Sequence, residues 1–112
     1  MSDVIEIAAS FVHALASGDV DAAHKFLSQT SGANITATEL SSHFEALADD
    51  MGGVTGAGQP AVILEEWPDM TAQDRAMVYV PLEGDEFSEA ITVTVSQVEG
   101  SLCISAIEWG RP

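Results

Sequence analysis

At 112 residues the chain fits one domain of ordinary size, 1–112, long enough to bury a single core without staples of disulfide or metal. Three Lys and Arg against 18 Asp and Glu give a formal net charge of −15, a field that repels phosphate backbones and anionic membrane surfaces, so no nucleic-acid or membrane partner is expected. The single Cys103 excludes an intramolecular disulfide, and its place in an apolar alternating run reads as a buried thiol.

The first residues, MSDVIEIAASF, lack the basic region and apolar run of a secretory signal, and no window approaches the roughly 18 apolar residues of a membrane span, which makes a cytoplasmic location the expectation. Ser2 is placed to cap a helix whose first turn holds Asp3 and Glu6, where the helix dipole favours acids. Val4, Ile7, Ala8, Phe11 and Leu15 recur at helical spacing, predicting a first helix over Asp3–Ala16. Gly18 supplies its stop, and Asp19 caps a short second helix in which Ala23, Phe26 and Leu27 share a face. Thr36 and Glu39 stand at capping-box spacing before a third helix with Leu40, Phe44, Leu47 and Met51 on one stripe, ended by Gly52-Gly53.

The following GGVTGAG lacks the lysine and the preceding strand of a phosphate-cradling loop and reads as a flexible connection. From Ala61 the pattern changes to four strands, AVILEEW, RAMVYVPL, FSEAITVTVSQVE and SLCISAIEW, joined too closely for parallel crossovers. In the third of these, Ile91, Val93 and Val95 share one face and Thr92, Thr94 and Ser96 the other. Helices first and strands later predict an α+β domain, N-terminal helices packed on a curved antiparallel four-stranded C-terminal sheet.

A helical hairpin carrying Phe11, Leu15, Gly18, Asp19, Ala22, Ala23, Phe26 and Leu27, then a third helix with Leu40, Phe44 and Leu47 beginning near a Thr-x-x-Leu, resembles the nuclear-transport-factor-2-like, or cystatin-like α+β cone, superfamily. The resemblance covers nearly the whole chain in element order. It implies a sheet wrapped around helices to form a conical pocket, with dimerisation through the sheet. Between Leu27 and Thr38 only Asn34-Ile35-Thr36 stands where many members carry a strand, so the rim of the pocket is expected to be incomplete. Members include isomerases, dehydratases, transport factors, immunity proteins and noncatalytic binders, so the site must decide among functions.

An enzyme of this shape needs an acid or base in an apolar pocket facing a hydrogen-bond donor. His13 beside the first stripe, His43 beside Phe44, and the only phenol, Tyr79, are the candidates. The Tyr in the first helix and the paired strand Asp residues of ketosteroid-isomerase-like members are absent, with Asp74 and Asp85 falling at strand ends. His13, His24 and His43 have no metal-ligand spacing, Glu65-Glu66 point to opposite faces of a strand, and no triad signature is present. No cofactor, metal or catalytic set is therefore assigned.

The second face of the sheet is the more informative feature. If Ala76, Val78, Val80 and Leu82 face the helices, Met77 and Tyr79 face away, and Leu102, Ile104 and Ala106 inside would leave Cys103, Ile107 and Trp109 outside. Trp67 joins this strip or the pocket mouth. An apolar strip of Trp67, Met77, Tyr79, Ile107 and Trp109 is a partner or ligand surface, most simply for a second copy through the sheet. The acids are spread along the chain and read as a solubilising or salt-adapted surface, or as a dock for a cationic protein. The resulting expectation is a noncatalytic binding or protein-interaction domain, immunity- or adaptor-like toward a basic partner. Its alternatives are an isomerase or lyase of small molecules using a His base in the cone, and a passive binder of a small apolar ligand.

Overall fold

A computed structural model describes residues 3–27, 36–68, 70, 72–98 and 100–110. The Ser2 cap, the segment 28–35 between Leu27 and Thr36, and Arg111-Pro112 lie outside them. Helices α1 (Asp3–Ala16), α2 (Val20–His24) and α3 (Ala37–Met51) precede strands β1 (Val54–Ala57), β2 (Ala61–Leu64), β3 (Asp74–Gly84), β4 (Glu89–Val98) and β5 (Ser101–Trp109). This is the α+β arrangement expected, with three helices packed on one antiparallel sheet, but the sheet has five strands rather than four.

The helix ends follow the residues that sequence assigned to them. Gly18 takes φ +85°, its N–H donating to Leu15 O at 3.1 Å while Asp19 N–H donates to Ala14 O at 2.9 Å, so two of the last carbonyls of α1 are satisfied by one turn. Asp19 then accepts from Ala22 N–H at 3.2 Å and starts α2, which closes after a single turn, leaving Phe26 and Leu27 beyond it. At α3 the capping box is complete: Glu39 N–H donates to Thr36 Oγ1 at 3.1 Å and Thr36 N–H to Glu39 Oε1 at 2.9 Å. Gly52, at φ +78°, ends α3 by the same device as Gly18, with Gly53 N–H on Ala48 O at 2.8 Å.

The segment expected to be a flexible connection is instead partly strand β1. Its register, Val54 opposite Gly84 and Ala57 opposite Leu82, continues into β2, with Ala61 opposite Tyr79 and Leu64 opposite Met77. The two are therefore halves of one edge strand lying along β3, interrupted at Gly58-Gln59-Pro60. Proline supplies the reason for the break. Pro60 and Pro81 both lack an N–H, and at this level Gly58 N–H donating to Pro81 O at 2.8 Å is what joins the edge to β3. VTGA is too short and too glycine-rich to announce itself; the unpaired edge of β3 selects its conformation. β2 also ends at Leu64, so Glu65 and Glu66, expected on opposite faces of a strand, are both exposed residues beyond it.

The core lies between the helices and one face of the sheet. Phe11 and Leu15 of α1, Leu40 and Met51 of α3, and Ile91 and Ile104 of the sheet are each at most 1% exposed. Burying one such side chain contributes about 1.5–3 kcal/mol, so this stripe-to-sheet contact is the main source of stability. Ile104 N–H also donates to Phe26 O at 2.7 Å, tying the end of the α1–α2 hairpin to the free side of β5.

Candidate interaction face

Residues opposite one another on neighbouring strands share a face, so the register defines what the outer side of the sheet presents. One row runs Ala61, Tyr79, Thr92, Glu108 and the next Leu64, Met77, Thr94, Ala106. Met77 and Tyr79 are thus placed where the alternation put them, facing away from the core and half-buried. Leu64, 43% exposed, joins Met77 on this side.

Ile107 and Trp109 are not on this face. Val95 pairs with Ile104 but Thr94 pairs with Ala106, so Ser105 is an extra residue in β5 that reverses the alternation beyond it. Ile107 opposite Val93 and Trp109 opposite Ile91 consequently pack on the core, while Ala106 and Glu108 turn outward. Trp67 is also off the strands: it is half-buried in the connection after β2, where its carbonyl accepts from Met70 N–H at 3.1 Å. Cys103, expected to be buried, is half-buried opposite Ser96 on the outer face.

The three residues considered for acid–base chemistry lie in three different places. His13 is exposed and borders an open cleft of about 240 Å3 between the last turn of α1 and β1, with Ser17 and Thr55. His43 stacks on Trp109, ring centroids 5.6 Å apart and planes 14° from parallel, on the helix side of the sheet. Tyr79 is on the opposite side, between Ala61 and Thr92. Among the described residues no group of His, Cys, Asp or Glu is arranged to hold a metal ion.

What the outer face does contain is a notch of about 160 Å3, walled by Met77, Thr92, Thr94, Ala106 and Glu108 and reaching Ile107 only where the strand passes between the last two. The small Ala106 between larger neighbours makes room for it. Thr92 is 5% exposed, and its Oγ1 is sealed from solvent without a hydrogen-bond partner. A buried hydroxyl left unpaired costs about 1–3 kcal/mol, so it is an unusual feature for a sheet to retain. Glu108, exposed, stands directly across from it. Alternation alone places Thr92 on the outer face; Glu108 arrives there only through the bulge, which left no mark in the hydrophobic pattern.

The charge of the chain as a whole is uncompensated. Even if every Lys and Arg paired with one acid, an excess of 15 negative charges would remain. Arg75, one of the three cations, is already occupied by neutral acceptors, its Nε donating to Gln97 Oε1 at 3.3 Å and its Nη1 to the carbonyls of Ala72 and Asp74 at 3.0 Å each. No helix among the described residues is long and apolar enough to cross a membrane. No protein family, curated protein or solved structure matches this chain.

Proposed function

We infer that this domain is a noncatalytic interaction module whose acidic surface docks a basic protein, in the manner of an immunity protein or adaptor. The observation that carries this reading is the charge excess of 15 on a domain whose helix-to-sheet interior is filled by its own side chains. A field of that size accelerates encounter with a cationic partner and discriminates against anionic ones. The order of helices and strands supports kinship with the nuclear-transport-factor-2-like cone domains, and the sequence supports a cytoplasmic setting for such a role.

The isomerase or lyase alternative needs a histidine and Tyr79 in one pocket, and His13, His43 and Tyr79 stand apart. Association of two copies through the sheet is the weaker reading of the outer face, because Ile107 and Trp109 have turned inward and left Leu64, Met77 and Tyr79 as its larger apolar groups. A heterologous cationic partner also avoids bringing two charges of −15 together.

The test is capture of proteins from a lysate on the immobilised domain at graded ionic strength, with identification of what elutes. Retention at low salt of a discrete basic protein, lost as screening shortens the range of the field, is the expected result. Absence of any basic protein at the lowest salt would overturn the reading.

A further inference from the structure

We propose that the notch between β4 and β5 on the outer face is a receptor for a lysine side chain of the partner, with Glu108 pairing the ammonium group and the Thr92 hydroxyl as a second acceptor. The inference rests on the basic-partner reading above and gives it a place on the molecule. Three independent features converge there. The volume of about 160 Å3 is that of one long side chain rather than a metabolite. Its walls divide by chemistry: Met77 and Ala106 offer apolar surface to a methylene stem, while Glu108 presents a carboxylate at the mouth. Thr92 supplies the third feature, a hydroxyl in a side chain only 5% exposed, with no hydrogen-bond partner among the described residues.

A hydroxyl without an internal partner gains one when an ammonium group, which carries three donors and no acceptor, enters beside it. Oγ1 is sealed in the unliganded chain, so the proposal requires the Thr92 side chain to turn about its Cα–Cβ bond as the ammonium group enters. Lysine fits better than arginine, because a flat guanidinium seeks two coplanar carboxylate oxygens and an open approach, whereas a point charge on a flexible stem suits a narrow recess. Glu65 also borders a hollow, of about 340 Å3 with Val62, Ile63 and Leu64 on the exposed edge strand, but among the described residues the buried, unpartnered hydroxyl lies at the notch and not there.

The experiment uses hexalysine and, in parallel, hexaarginine as probes of the full chain at low salt, followed by amide chemical shifts and titration calorimetry. Shifts centred on Thr92, Thr94, Ala106 and Glu108 are expected, with hexalysine preferred. E108Q should weaken hexalysine binding about fivefold and T92V about threefold, whereas E66Q, which removes one charge from the general field, should weaken it less than about twofold. Glu108 is exposed, so E108Q is expected to fold normally even if T92V repacks. Hexalysine binding that E108Q and T92V leave equal to E66Q would overturn the notch while sparing the basic-partner reading. Shifts at these residues that follow protein concentration alone would put a second copy on the face and overturn it as well. Failure of the unmodified chain to bind either peptide, together with an empty lysate capture, would remove both.

Discussion

The Ser96 hydroxyl donates to Asp74 Oδ1 across 2.6 Å, fastening the central strand β4 to β3 at the level where β3 slips register around Arg75. Ser105, the extra residue of β5, lies 2.7 Å from the same hydroxyl on the other side. With its single proton given to the carboxylate, Ser96 accepts from Ser105, and one buried serine clasps both bulges. Hydrogen bonds to charged groups are the stronger kind, so S96A should lower the unfolding free energy by about 2 kcal/mol in urea titration. S101A, an exposed change at the start of β5, should stay within about 0.5 kcal/mol. Equal stability of the two variants would mean that the bulges hold without the clasp.

Gly84 is where the β3–β4 turn meets the end of α3. A Cβ there would lie 2.7 Å from Met51 Cβ and 2.8 Å from Met51 O. The backbone on the other side is pinned, because Glu86 N–H and Phe87 N–H both donate to Met51 O, at 2.9 and 3.2 Å. Neither side can give way cheaply, and G84A is expected to cost about 3 kcal/mol by overpacking. Thermal unfolding of G84A within a degree of the parent would show that the corner relaxes.

Acid should weaken the start of α3. The Thr36 backbone N–H, and after it the Thr36 side chain, hold the Glu39 carboxyl below its ordinary value of 4.5, with a smaller contribution from His43. A value lowered by folding means stability that is fully present above 4.5 and is lost as pH falls through the lowered value. E39Q keeps an acceptor for Thr36 N–H but has no charge to lose. The advantage of the parent over E39Q in denaturant titrations should therefore be constant near neutrality and shrink on acidification. A difference that persists at the acid end would assign it to packing rather than to charge.

His43 over Trp109 gives the fold an optical reporter. Trp67 and Trp109 are the two tryptophans, so W67F leaves the stacked indole alone to be read. An imidazole stacked on the indole, centroids 5.6 Å apart, covers one of its faces. Adding H43A to W67F should uncover that face and move the emission maximum to longer wavelength. An unchanged spectrum in H43A would show that other groups shield the indole.

The helices and the central strands were legible in sequence because each rule there had no competitor. Gly18 and Gly52 stop helices by adopting positive φ, Asp19 and Thr36 cap them, and β4 alternates without interruption. The outer face was only half legible. Met77 and Tyr79 follow simple alternation in β3, but Ile107 and Trp109 lie beyond Ser105, and a single inserted residue exchanges the two faces of everything after it. Serine carries no hydropathy signal that would mark such an insertion. β1 carries no such signal for a different reason: Val54–Ala57 has little intrinsic preference for a strand and is recruited by the open side of β3.

The proline interruption between β1 and β2 has a consequence for how the protein keeps company in concentrated solution. A foreign chain seeking to extend the sheet on that flank meets two short segments out of step with one another, so cross-β growth finds no continuous template there. The other flank is already partly occupied where Phe26 takes the Ile104 N–H. For a polypeptide that is 46% hydrophobic, resistance to fibril formation is thus written into the backbone as well as into its like-charge repulsion, and it should survive salt that silences the latter.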